Sequence, residues 1–252
     1  MKLFIAGLTF FLVIAAHGDE RDAVRQQLEP LGFVYGFGLG VNKEIYRGYD
    51  RRVIPLPIIG YRNERLTIYG PFVSYEAVKI SAVDVFLQIA PRFQGFDESD
   101  SSAFSGMKER KSSMDAGVGA KYERGVWNTK FSYLRDILDR SDGAELSVTL
   151  GRAFQKGPIF YEPSISISHL NDEHVNYYYG VGEDESNASR PNYKAGSAFN
   201  TSLGFAVSTP LFFGGFTQLA IDYTSFDDAI TNSPIVEDKS NVGLRLLFSK
   251  YF

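Results

Sequence analysis

Three clusters of ionisable side chains are the places where this sequence concentrates chemistry. His169 and His174 flank Asp172 and Glu173, residue types that can ligate a metal or pair an acid with a base. Glu183-Asp184-Glu185 offers hard oxygen ligands to a divalent cation. Lys108-Glu109-Arg110-Lys111 can meet phosphate groups through its cations. Each cluster has a plainer reading, and we adopt it: a solvated His-acid loop, a hydrated acidic loop and a charged loop tip. Hydrolytic catalysis needs a Ser or Asp held against a His by an orienting partner. The third histidine, His17, directly follows the leading apolar run, and no Ser or Asp motif accompanies the other two. No catalytic, cofactor-binding or metal-ligating residue is therefore assigned.

The elements that must position these clusters start with an export signal. Lys2 precedes the apolar run Leu3 to Ala16, and Ala16-His17-Gly18 supplies small residues for a peptidase. We expect a signal peptide over residues 1–18, cleaved after Gly18, and a periplasmic amino-terminal segment over 19–32. The run is shorter than the roughly 20 apolar residues of a spanning helix, and no later segment approaches one. Cysteine is absent, which removes disulfides and thiolate metal sites. A net charge of −4 argues against a nucleic-acid face.

Beyond residue 32 one pattern recurs, with apolar and small or polar residues alternating at the period of a strand. Phe33, Tyr35, Phe37, Leu39 and Val41 oppose Gly36, Gly38 and Gly40. Val85, Leu87, Ile89 and Phe93 oppose Gln88 and Arg92, and Trp127, Thr129, Phe131 and Tyr133 oppose Asn128, Lys130 and Ser132. The final stretch sets Val242, Leu244, Leu246 and Phe248 against Gly243, Arg245 and Ser249, and stops at Phe252. Both a soluble sandwich and a membrane barrel give such dyads. The opposing faces, rich in Gly, Ser, Ala and Asn with single charges, suit a narrow lumen better than a solvated sheet surface. The 15 Tyr and 21 Phe suit strand ends at a water boundary.

Tight turns at Glu123-Arg124-Gly125, Gln155-Lys156-Gly157-Pro158 and Phe213-Gly214-Gly215 alternate with longer polar loops. These loops run from Asp97 to Ser113, Arg135 to Gly143, Leu170 to Lys194 and Ser225 to Lys239. The reading is an all-β transmembrane antiparallel β-barrel over residues 33–252, with short periplasmic turns and longer extracellular loops. About eleven candidate strands are visible, and single-chain bacterial barrels favour even numbers, so ten or twelve is expected, with twelve favoured. The doubtful region is Arg51 to Lys79, where Pro55, Pro57 and Gly70-Pro71 interrupt strand pairing.

Several residue groups, in order along the chain, resemble the MltA-interacting protein (MipA)/OmpV family of outer-membrane proteins. They are Tyr46-Arg47-Gly48-Tyr49, Leu56-Pro57-Ile58-Ile59-Gly60-Tyr61, Tyr177-Tyr178-Tyr179-Gly180-Val181, Asn192-Tyr193-Lys194-Ala195-Gly196, Asp227-Asp228-Ala229-Ile230 and Ser233-Pro234-Ile235-Val236. Lys250 departs from the pattern, standing where such barrels often carry an aromatic. The resemblance implies a barrel in the outer membrane of a Gram-negative cell, bounded by its lipids and lipopolysaccharide. It implies recognition of the terminal strand, ending at Phe252, by the barrel assembly machinery. It also implies a scaffold role toward a lytic transglycosylase and a peptidoglycan synthase. A small solute channel, with inward Arg92, Lys121, Lys130, Glu145 and Arg245 tuning passage, and an adhesin acting through Leu170 to Lys194 are the alternatives. An outer-membrane phospholipase or protease is the enzyme alternative.

Overall fold

A computed structural model describes residues 30–252; the expected signal peptide and nearly all of the segment 19–32 lie outside the described residues. The strands are β1 (Gly32–Lys43), β2 (Arg51–Arg62), β3 (Leu66–Tyr69), β4 (Phe72–Ile80), β5 (Val83–Arg92), β6 (Ser113–Arg124) and β7 (Trp127–Asp136). They continue with β8 (Ala144–Arg152), β9 (Phe154–Lys156), β10 (Ile159–Leu170), β11 (Ala198–Thr209), β12 (Phe216–Ser225) and β13 (Ser240–Tyr251). Pairing is antiparallel throughout, and β8 and β9 lie along the same neighbour as one stave broken at Ala153. The result is a closed barrel of twelve staves.

Closure joins β13 to β1, from Val34↔Tyr251 to Asn42↔Gly243. Closing the sheet on itself removes its two outer edges, so most backbone polar groups are satisfied within the wall. The dyads set the sidedness: Phe33, Tyr35, Phe37, Val118, Phe131, Ile167, Leu203 and Leu244 are exposed on the outer face. Gln88, Asn128, Ser132, Glu145, Asn200 and Ser249 are buried on the inner one. Phe252 ends the chain on the outer rim, its N–H donating to Phe33 O at 3.1 Å and its ring 6.0 Å from that of Phe33. Lys250 reaches Phe213 O at 3.4 Å.

Two expectations need correction. The region Arg51 to Lys79 holds three strands: Pro55 and Pro57 lie within β2 without breaking it, whereas Gly70-Pro71 is, as expected, an interruption, the turn between β3 and β4. β2 pairs with β1 along its whole length, but with β3 only over Gly60–Arg62. Ile59 O accepts from Gly70 N–H at 3.2 Å, so Ile59 faces the β3 side. The two-residue period then turns the nitrogens of Pro57 and Pro55 to that side too, beyond the end of β3, where no ladder needs a donor. Phe93 is the second correction. β5 ends at Arg92, and Phe93 packs inward on Leu56, Phe72 and Ala90 instead of continuing the lipid-facing row.

Candidate functional site

The long loops fold into a cap over the extracellular mouth. Its pieces are residues 44–50, 93–112, 171–197 and 226–239, including α1 (Asp172–Tyr179) and α2 (Asp228–Thr231). α1 starts where the Asn171 side chain accepts from His174 N, and Asp172 and Glu173 in its first turn suit the positive end of the helix dipole. It buries His174, Val175, Tyr178 and Tyr179, one stripe at helical spacing. Val175, Tyr178 and Tyr179 pack with Tyr46, Phe96, Phe104, Ile230 and Ile235 in one apolar core. Tyr46 is central: its ring centroid lies 5.2 Å from Phe96 and 5.4 Å from Tyr179, and its hydroxyl donates to Tyr178 O at 3.1 Å. Ser233 Oγ donates to Tyr179 O at 2.6 Å, and Tyr193 Oη to Ala229 O at 3.0 Å.

Charged residues lock the cap from within. Arg110 Nη2 lies 2.6 Å from Glu185 Oε2, with both side chains almost wholly buried. Glu185 also accepts from the N–H groups of Lys108 and Gly182. The guanidinium of Arg110 sits 5.6 Å from the centroid of Phe96 and 5.9 Å from that of Tyr177. Buried Arg190 donates to the carbonyls of Ala103, Ser105 and Glu185, tying two cap segments together.

The plainer readings of the three sequence clusters are thus corrected in part. Glu185 is not a hydrated loop carboxylate and Arg110 is not at a loop tip, because each neutralises the other in the interior. Their neighbours Lys108 and Asp184 do form an exposed pair at 2.5 Å. His174 is buried too, while Asp172 and Glu173 are exposed. His169 lies on β10 against the Phe199 ring at 4.6 Å, on the row of outward residues Ile165 and Ile167. The two histidines therefore face different surroundings. Among the described residues no group of three His, Asp or Glu side chains converges as a metal site.

Below the cap, barrel residues line a chamber of about 240 Å³. Arg92 pairs with Asp115 and lies 2.9 Å from Glu145. Arg245 and Asp222 pair at 2.6 Å. Gln88 on β5 donates to Ser132 on β7, along the inner wall over the glycines of β6. At the periplasmic end Val34, Ile58, Tyr69, Phe160, Phe216 and Leu247 form an apolar plug. The inward Arg92, Glu145 and Arg245 expected from the sequence do line the lumen, Arg92 against Glu145 and Arg245 against Asp222, bound to partners and not presented to a reactant.

Protonation gives the cap a pH dependence with a definite sign. Burial holds the His174 imidazole well below its ordinary value of 6.5, and the nearby Arg92 charge adds to this against the opposing pull of Asp136. The neutral ring donates from Nε2 to Gln94 Oε1 at 3.2 Å, since the Gln94 amide nitrogen is taken up by Tyr179 Oη. A depressed value means full stabilisation above the unfolded value and loss as pH falls below it. For Glu185, burial pushes upward, but the bonds from Arg110, Gly182 and Lys108 prevail and hold the carboxyl at about 2. It stays ionised throughout the histidine range. Hydrogen-exchange protection of cap amides should be level above about pH 6.5 and fall by up to about tenfold per pH unit below it. His174→Gln should flatten that slope, and an unchanged slope would assign it to another group.

Known proteins place this barrel. The MltA-interacting protein of Escherichia coli K12 is 27% identical over 222 residues, covering 84% of this chain and 86% of that protein. Outer membrane protein Omp26La of Vibrio anguillarum is 30% identical over 142 residues, 56% of this chain, and the match spans about half of that relative's length, 55%. Among solved structures the NanC porin superposes with a TM-score of 0.47 at 8% identity, over 86% of this chain and 99% of that chain. The model of the family described as "MltA-interacting protein MipA" matches residues 35–252. That match runs from the first strand to the last residue, and the chain is a member of this family of outer-membrane β-barrels.

Proposed function

We propose that this outer-membrane barrel is a non-enzymatic scaffold that holds a lytic transglycosylase and a peptidoglycan synthase beneath the membrane. The observation that carries the reading is the filling of both lumen ends, by the cap core around Tyr46 outside and the Phe160–Phe216–Leu247 plug inside. Such a barrel offers the periplasm a surface in preference to a passage. The relative named for its interaction with MltA supports the choice of partner. On the periplasmic side the turn between β11 and β12 exposes Leu211, Phe212 and Phe213, with Phe213 85% exposed and at φ 53°. A large apolar side chain kept in the left-handed region at a turn tip marks a surface suited to contact. Affinity-tagged barrel should recover both enzymes from cross-linked envelopes, and Phe213→Asp should reduce that recovery with the heat-modifiable barrel intact. Repeated recovery of neither enzyme would sink the scaffold reading.

The charged chamber favours a second reading, a channel for small solutes. With both ends filled, the purified protein in a planar bilayer is expected to be silent. Stable unitary currents would favour the channel.

A further inference from the structure

We propose that the wall between β2 and the end of β5 is a lateral seam through which an apolar or amphiphilic molecule dissolved in the membrane, such as a fatty acid, enters the chamber. This is independent of any scaffold role. The seam follows from strand length. β3 spans only Leu66–Tyr69, and the β3–β4 turn, with Gly70 at φ 58°, meets β2 at Pro57 O and Ile59 O. Above that turn, residues Arg51 to Ile58 of β2 have β1 on one side and no ladder on the other. Arg52 bridges the top by donating to Gly95 O, so the unpaired stretch has a floor and a lintel. Its outer flank is lipid-facing, since Val53 is 53% and Ile59 79% exposed.

Three observations decide what the seam takes. First, Pro55 and Pro57 turn toward it and supply no N–H, so a strand of another chain cannot form a ladder there. That excludes edge-to-edge pairing and leaves a ligand without hydrogen-bonding demands. Second, the inner lining changes character at this wall. β6, β7 and β8 turn Asp115, Asn128, Lys130, Glu145 and Thr149 into the chamber, whereas β2 turns Ile54, Leu56 and Ile58 inward. Third, the seam leads to the chamber. Leu56 and Phe72 pack with Ala90 and Phe93, and these last two also line the chamber. Phe93 lies beyond the last residue of β5 and is only partly buried, which leaves its ring the freest part of this barrier. With cap and plug filling the axial ends, the route through Phe93 is the short one from lipid to lumen. An acyl tail would rest on Ile54, Leu56 and Phe72, with its polar head at the chamber entrance beside Ala90 and Phe93.

Photolabelling in phospholipid bilayers tests this. The full barrel is reconstituted with a diazirine-bearing palmitate, irradiated and mapped by mass spectrometry. Wild-type protein should carry label on the inward residues of Ala90 to Gln94 as well as on the lipid-facing row. Leu56→Trp, which overfills the packed aperture, should cut the inward label about fivefold or more and leave the label at Ile59 unchanged. Phe93→Ala should raise the inward label by a similar factor, and it decides the matter if Leu56→Trp fails to give heat-modifiable barrel. Label confined to outward residues in the wild type, or inward label that neither variant changes, would overturn the seam.

Discussion

Gly36→Ala is expected to lower the heat-modifiable, fully assembled fraction about tenfold or more, while Gly40→Ala four residues along the same strand leaves it near wild type. Both glycines face the lumen from β1, and both substitutions add one methyl group. At Gly36 the new Cβ would run into Phe248 O and lie 2.8 Å from Ser249 Cα, backbone atoms of β13 at the closing ladder. Backbone cannot rotate away as a side chain can, so β1 and β13 must separate where Ser249 is wholly buried. Overpacking of this kind costs about 1–3 kcal/mol, and each 1.4 kcal/mol is about tenfold in population. At Gly40 the nearest atom is Ile54 Cβ at 3.6 Å, an ordinary contact. There the loss of glycine's unfolded-chain freedom makes Ala neutral or mildly stabilising. Cold and boiled electrophoretic mobility of the two variants, prepared in parallel, reads the difference. Equal assembly of both would mean that the closing ladder is placed wrongly.

Arg110→Ala is expected to open the cap. Removing the guanidinium leaves the Glu185 carboxylate buried with only the Lys108 and Gly182 N–H groups as donors, and strips a cation from the Phe96 and Tyr177 rings. Breaking a buried pair by deleting one partner typically costs about 3–5 kcal/mol, so the open population should rise by roughly two orders of magnitude or more. Protease nicking of the cap segment from Asn171 to Lys194, measured on intact cells, would report it. Lys108→Ala is the matched control, because the Lys108–Asp184 pair is exposed and screened by solvent. Equal nicking in both variants would remove the Arg110–Glu185 pair from its role as the cap's internal lock.

The barrel was legible because its code is local. Lipid on one side and a narrow lumen on the other force an alternation that survives in most long strands, β2 with its inward Ile54, Leu56 and Ile58 excepted, and the closing strand Ser240–Tyr251 can be read without knowing its partner. Pro55 and Pro57 misled because propensity says only that a donor is missing; whether the donor is needed depends on how far β3 reaches, a non-local fact. Phe93 misled because the period of two runs past Arg92 in sequence but not in space.

The cap was hidden for a related reason. Polar loops look solvated one at a time, and only the topology brings Arg110 to Glu185 across 75 residues of chain. A signal was present all the same. Tyr46, Tyr178, Tyr179, Tyr193, Ile230, Ile235 and Val236, which carried the family resemblance, all belong to the cap core or pack against it. Apolar and aromatic side chains recurring in several loops of a barrel have no lipid to face, so they must face one another.

Thiol labelling in whole cells tests the closed mouth most directly, because the chain has no native cysteine. Ser147 lines the chamber, and Glu109 stands on the outside of the cap with its side chain 48% exposed. A membrane-impermeant maleimide should modify Glu109→Cys readily, leave Ser147→Cys unmodified in the otherwise wild-type barrel, and reach it once Arg110→Ala is added. Rapid modification of Ser147→Cys with the cap intact would contradict the account.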